Sequence, residues 1–325
     1  MNRRDVLTAF GAVGLLSAGH PRLARAQTYP ARPVRILVPF PPGGTIDHTT
    51  RLLAAELSKA WDQNILVENR PGGATIIAVD LVAKSVPDGH SLAVVTGTFT
   101  VNESLMPSLP YDSKRDLRPI VQVAKSDHVL VVNPSVAAQD LGQFVSLVKS
   151  NPGKYTFASF GNGSSAHLAG ESLNMVAGLD MTHVPYKGQA PALTDVMGGQ
   201  VHAIFANLPE TLPQIRAGKV KVIGLAAARR SVLAPDIPTL AEQGGVGLES
   251  SSWSGLMAPA GTPDPIVARI NADVNRMLEL PALQEAFAKS GIVSLGGTSD
   301  AFGQFLSAEI SRQAAVIRSA GIKPG

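Results

Sequence analysis

The stretch from Val34 to Ala54, VRILVPFPPGGTIDHTTRLLA, constrains this chain more than any other. Val34 to Val38 is branched and apolar with a single charge, the pattern of a strand buried on both faces of a parallel sheet. Phe40 to Thr45 is a Pro-Pro-Gly-Gly turn. Asp47, a good N-cap, then opens a helix whose apolar residues Leu52, Leu53, Leu57 and Trp61 recur at helical spacing. Glycines between a strand and a helix let backbone N–H groups turn toward a cavity, where the helix dipole adds partial positive charge. Such a turn suits a carboxylate or a phosphate. Taken alone, it is also an ordinary strand-to-helix connection that binds nothing.

The chain's 325 residues suffice for two α/β lobes, and 45% hydrophobic content with 31 Gly and 24 Pro describes a globular, loop-punctuated protein. Its formal charge of +3 is local. Arg3, Arg4, Arg22 and Arg25 stand against Asp5 in the first 26 residues, so the remainder is neutral. A neutral body with 5% aromatics has no basic stripe for phosphates, which argues against nucleic acid as a partner.

Those first residues read as an export signal. Asn2-Arg3-Arg4-Asp5 is a charged leader, and Val6 to Ala18 is a modestly apolar run too short to span a bilayer. Ala24-Arg25-Ala26 fits an A-x-A cleavage site, so residues 1–26 are expected to be removed and the mature chain to begin near Gln27. Paired arginines before a weak apolar run leave both the twin-arginine and the Sec routes open. The chain has no cysteine. Disulfides, thiol chemistry, Cys-zinc sites and a lipid-anchoring cysteine are therefore excluded, and a freely soluble mature form is expected.

Strand and helix signals alternate along the rest, which predicts parallel sheets with helices on their faces. Strands are expected at Val34–Val38, Ile65–Glu68 and Leu92–Thr96, with a helix at Thr75–Lys84. Tyr111 to Asp127 reads as loop and then apolar chain, and His128 to Asn133 as a strong strand stopped by Pro134. A second set follows, with helices at Leu141–Lys149, Ala166–Val176, Ala190–Met197 and Leu212–Ala217. Its strands are expected at Tyr155–Ser159, His183–Tyr186, Val201–Ala206 and Val220–Ala227. Ser250 to Ala258 reads as a return strand. Thr262 is then the expected N-cap of a helix with apolar face Ile266, Ile270, Val274 and Met277. Phe302, Phe305, Leu306, Ile310 and Ile317 share one face of a last helix. This predicts an α/β chain with a first lobe at 27–126, a second at 127–249 and a return at 250–325. Two crossings of this kind make a hinge able to close a cleft.

Tyr155 to Gly170, YTFASFGNGSSAHLAG, repeats the physics of the opening stretch inside the second lobe. Strand, glycine loop and helix recur, with Ser164 and Ser165 adding hydroxyls. Ser165 also suits a plain N-cap role. Two such loops, one per lobe, make an anion held from both sides the simplest reading.

The segments PFPPGGTID, NRPGG, PDGHSLAV, GNGSSAHLAGE, HVPYKGQAPALTDVMGGQV, NLPETLPQIRAGKVK, PDIPTLAE and APAGTP occur in order over nearly the whole mature chain. They resemble the tripartite tricarboxylate transporter substrate receptors, also called Bug receptors. The resemblance implies a two-lobed periplasmic binding protein of the type II, venus-flytrap kind. It also implies an organic-acid ligand, such as a di- or tricarboxylate or an aromatic acid, and delivery to a membrane permease. Carried onto this sequence, it places ligand contacts at Phe40, Gly43, Gly44 and Thr45 in the first loop. In the second loop it places them at Asn162, Gly163, Ser164 and Ser165. Two departures stand out. The chain has Pro71-Gly72-Gly73-Ala74-Thr75 where members often carry a longer glycine run. It has Ala206 before Asn207 where many carry Asp, which removes one partner for an amino or hydroxyl group.

Other residues divide between site and scaffold. Asp47 suits helix capping better than ligand contact, because a carboxylate repels an acid. Thr98 and Asn207, each at a strand end facing the expected cleft, are candidates for contact. His167 and His183 fit buried hydrogen-bonded histidines as well as ligand contacts, Trp253 fits packing, and Lys187 fits a solvated or permease-facing site. The histidines lack metal-ligand spacing, so no metal and no cofactor is expected. A monomer is expected. A rival reading is an exported hydrolase on the same scaffold, but the chain has no G-x-S-x-G or H-E-x-x-H. A sensor ectodomain is a further partner for the same closed form.

Overall fold

Branched apolar segments supply the strands, and the glycine turns between them set where each helix starts. The computed structural model describes residues 29–245 and 248–322. The expected export signal lies outside those residues. The first sheet is built from β1 (Val34–Val38), β2 (Ile65–Asn69) and β3 (Ser91–Thr96), all parallel. Helices α1 (Thr45–Trp61), α2 (Ile76–Ala83) and α3 (Gly97–Leu105) connect and cover them. The chain then enters β4 (Leu117–Val132), a 16-residue strand. The second sheet follows through α4 (Leu141–Lys149), β5 (Thr156–Ser159), α5 (Ser165–Ala177), β6 (Thr182–Pro185) and α6 (Gln189–Gly198). It ends with β7 (Ala203–Asn207), α7 (Leu208–Arg216) and β8 (Lys221–Leu225). The return is β9 (Ser251–Pro259), followed by α8 (Asp264–Leu278), α9 (Pro281–Lys289), β10 (Val293–Ser294) and α10 (Ser299–Ala320).

The strand order is β2-β1-β3-β9-β4-β7-β5-β6, with β8 and β10 also on β4. The outer pairs are parallel, as the alternating pattern predicts. The central strands β4 and β9 run antiparallel to their neighbours. The first half of β4 pairs with β9 and its second half with β7 and β8, so one strand belongs to both sheets. The expectation of a loop before His128 is thus corrected: the strand begins at Leu117. Pro119, Lys125, Ser126 and Asp127 break the apolar pattern there. Register shifts near Pro119 and Gln122 absorb the irregularity.

Each sheet buries a core on both faces. Leu53, Leu57, Ile36 and Ile270 lie in one core of the first sheet, and Phe99, Trp253, Met257 and Phe302 in the other. In the second sheet, Phe144, Phe157, Leu173 and Phe205 pack on one face, and Val129, Val196 and Ile204 on the other. A fifth cluster joins Val101 and Leu105 of α3, Leu168 of α5 and Ile317 of α10. It packs helices of the two sheets together beside the crossing. Thr262 is not the N-cap of α8. Pro263 holds that position, and the Thr262 hydroxyl donates to the Pro259 carbonyl at 2.8 Å. The sequence pattern did not predict α3, α9 or β10. Thr100 and Asn102 are buried within α3, so its polar residues do not mark out the exposed face of a surface helix.

Candidate functional site

The first glycine turn is braced from below. Gly43 has φ +87°, a backbone that glycine adopts without a Cβ penalty, and its N–H donates to Asp47 Oδ2 at 2.9 Å. Asp47 is buried and also accepts from Asn69 Nδ2 at 2.8 Å and from Arg51. It is the third residue of α1. Gly44 stands at the N-cap position, with no side-chain capping bond. Asp47 therefore does not cap the helix from its first position, as the sequence suggested, but ties the turn to α1 from the third. Burial alone would raise its carboxyl. The bonds from Arg51, Gly43 and Asn69 outweigh that and hold it at about 2. Asn69 also donates to the Phe40 carbonyl, fixing the start of the turn, while the Phe40 ring packs on the core. The first-turn N–H groups of α1 have no intrahelical acceptor and remain available to a ligand.

The second turn rests on a histidine pair. Gly161 and Gly163 have φ +130° and +70°. Ser164, not Ser165, is the N-cap of α5 and accepts from His167 N–H. Gly163 N–H donates to His167 Nδ1 at 3.1 Å. His183 lies against His167 and reaches Ser159 Oγ at 2.6 Å, and Ser159 in turn holds both the N–H and the carbonyl of Gly161. Gly163 packs toward α3, where an added Cβ would lie 3.1 Å from Leu105 and 3.2 Å from Val101.

Thr45 and Asn207 border one small cavity of about 120 Å³ at the crossing between the sheets. Thr49, Ser126, Ser252 and Ser254 line it with hydroxyls, and Ile46, Trp253 and Ile292 with apolar surface. Lys125 borders it too, its ammonium paired with Asp127 at 2.8 Å. The Oδ1 of Asn207 is buried without a hydrogen-bond partner among the described residues. Ser165 connects to this cavity through Ser252, with hydroxyls 3.4 Å apart. Thr45 also donates to Glu210 Oε1 at 3.3 Å, a contact from α1 to α7 across the two sheets. Phe40, Gly43, Gly44, Thr98, Asn162, Gly163 and Ser164 do not line this cavity. Thr98 is half-buried in the first turn of α3, and Asn162 is exposed.

His128 was not among the sequence candidates. It is fully buried where β4 passes between sheets, opposite Asn207 in register. Its Nδ1 meets Ser250 Oγ at 2.9 Å and its Nε2 meets Ser252 Oγ at 3.1 Å. Burial pushes its imidazole down to about 3, so the ring is neutral at ordinary pH. The sequence does hold a signal: a histidine opens the apolar segment HVLVVN, and serines occupy 250, 251, 252 and 254. Among the described residues, no group of three or more His, Asp or Glu converges as a metal site.

Comparison with known proteins agrees with this architecture. The profile described as tripartite tricarboxylate transporter family receptor matches residues 49–322. Protein BugT of Bordetella pertussis is 37% identical over 325 residues, covering 99% of each chain. Among solved structures, an R. palustris protein with adipate is 32% identical with a TM-score of 0.78, covering 91% of this chain and 100% of that one. MatC from Rhodopseudomonas palustris with bound malate is 34% identical with a TM-score of 0.75, covering 89% and 100%. These matches lead to one assignment: the chain belongs to the tripartite tricarboxylate transporter receptor family, with its two-lobed periplasmic binding fold.

Proposed function

We propose that this protein captures a small organic carboxylate between its lobes in the periplasm and delivers it to the permease of a tripartite transporter. The ligand class is a di- or tricarboxylate or an aromatic acid. The observation that carries this reading is the cavity at the crossing, bordered by Thr45 on one side and Asn207 on the other. Its polar lining is mostly neutral hydroxyl and amide, and Lys125 is already paired. A ligand's negative charge is then met by dipoles and helix-start N–H groups, which gives affinity without an ion pair that slows release. Structural relatives with adipate and malate support the same class.

The lobe division follows β4 and β9. Among the described residues, 29–126 and 250–322 form one lobe and 127–245 with 248–249 the other, with hinge segments at Ser126–His128 and Ser250–Ser252. The protein acts as a monomeric receptor with no catalytic step. Ser159 approaches His183 as a nucleophile approaches a base, but it has no exposed surface, and Ser164 is engaged as a helix cap.

Thermal unfolding and calorimetry against malate, citrate, adipate and benzoate test the proposal. At least one acid raises the midpoint, since a ligand of the native state shifts unfolding by mass action. Silence across such a panel and its amino-acid counterparts overturns it. Co-purification with the permease subunits, against a sensor ectodomain as the competing partner, tests delivery.

A further inference from the structure

Four residues, His128, Ser165, Ser250 and Ser252, close a ring of hydrogen bonds at the crossing, one link of it through a backbone carbonyl. The Ser250 hydroxyl donates to the Ser165 carbonyl at 3.5 Å, which leaves its oxygen to accept from His128 Nδ1–H at 2.9 Å. With Nδ1 protonated, Nε2 of the neutral ring is an acceptor. Two hydroxyls reach for it, Ser252 at 3.1 Å and Ser165 at 3.4 Å, and the Asn207 amide also lies beside the ring. One lone pair serves one donor, and Ser252 is the nearer. Ser165 then donates to Ser252 Oγ, also at 3.4 Å, and the ring is complete. It joins three elements, β4, β9 and the first residue of α5. The Phe160 ring edge packs against the imidazole and shields it.

The two links that involve Ser165, from Ser250 to its carbonyl at 3.5 Å and from its hydroxyl to Ser252 at 3.4 Å, are the weak ones in this ring. Hydroxyl hydrogen bonds normally run at about 2.5–3.0 Å. A carboxylate offers a shorter, charge-assisted bond in exchange. Ser252 already borders the cavity that Thr45 and Asn207 define.

Building on the receptor reading, we infer that His128 is a positioning residue for the ligand. By accepting the hydrogen bond from the Ser252 hydroxyl, it leaves the Ser165 hydroxyl free to turn from Ser252 to a carboxylate bound between the lobes. Closure and ligand contact are thereby linked, because Ser165 belongs to the second sheet while Ser252 lies on the return strand.

Nitrogen-15 NMR of the histidine-labelled, ligand-free protein reads the tautomer directly. The Nδ1–H form of His128 is expected, and an Nε2–H form overturns the inference whether or not any acid binds. Calorimetry with malate and adipate as probes then compares variants. His128→Leu and Ser165→Ala are each expected to weaken the bound probe about tenfold, the scale of one charge-assisted hydrogen bond. The double variant is expected to weaken it no further, because both remove the same bond. His128→Gln, which restores an acceptor, is expected to recover most of the loss. Additive losses, or wild-type affinity in His128→Leu, overturn the inference. A probe that binds the wild type but ignores all these changes leaves the receptor reading standing and removes this one.

Discussion

The imidazoles of His167 and His183 stack with ring centroids 3.7 Å apart and planes within 10° of parallel. Two such rings tolerate this contact while at least one is uncharged. The His183 ring is pushed down to about 4, first by burial and then by the neighbouring His167, with Glu171 opposing. The pair sits under the second glycine turn, where His167 holds Gly163 and His183 holds Ser159.

Acid should therefore loosen that turn. An unfolded histidine titrates near its ordinary 6.5, and the folded His183 near 4. Between those values the unfolded state binds a proton that the folded state refuses, so stability present above pH 6.5 is lost as pH falls through 4. The urea midpoint is expected to drop from pH 7 to pH 5, and His183→Asn to flatten that slope. An unchanged slope in the variant places the acid sensitivity elsewhere.

Gly170 lets α5 lie directly on Phe157, the ring that also packs beside both histidines. A Cβ at residue 170 would overlap the Phe157 ring. Gly170→Ala is expected to destabilise by about 1–3 kcal/mol through overpacking. Trimming the ring, as Phe157→Leu, should recover part of that loss in the double variant. Chemical denaturation of the three variants measures it.

Gly43 and Gly44 separate folding from binding. Gly43 requires its positive φ, so Gly43→Ala is expected to cost about 1–2 kcal/mol in unfolding free energy. Gly44 has φ −78° and only the Pro41 carbonyl, 4.0 Å away, near its Cβ direction, so Gly44→Val should cost no more than about 1 kcal/mol, the scale of a poorer N-cap. It should still weaken carboxylate binding, because the added methyls crowd the first-turn N–H groups. Calorimetry alongside denaturation separates the two effects, and intact affinity in Gly44→Val places the anion elsewhere.

Glu210 sets a negative charge beside the start of α1, held by Thr45 Oγ1. Like charges repel, and at an exposed site salt screens the effect. Glu210→Gln is expected to tighten an acidic ligand a few-fold in low salt, with the gain shrinking at high salt. Titrations at two ionic strengths check both parts.

Much of the scaffold is legible in single stretches. β1 occupies Val34–Val38 as expected, because a strand covered on both faces is nearly all apolar, here with only Arg35 reaching out to Glu68. α4 occupies Leu141–Lys149 as expected, with Asp140 capping it and Leu141, Phe144 and Val148 on its buried face. α3 escaped notice because it packs against α10 with Thr100 and Asn102 buried, so its polar residues do not gather on one exposed face. Asp47 was read as a first-position cap because sequence records residue type near a helix start, not which N–H the carboxylate will meet.

The sequence by itself determined the alternation of strand and helix, the two glycine turns and the kinship these motifs carry. Each depends on local backbone freedom or on the period of apolar residues. Only the tertiary structure decided that β4 runs unbroken through both sheets. It also decided that Ser165, Ser252 and Ser250 meet around His128, and that Thr45 faces Glu210. Those contacts join residues between 37 and 165 positions apart. No periodicity encodes such separations, because they arise when strand pairing brings distant chain together at the crossing.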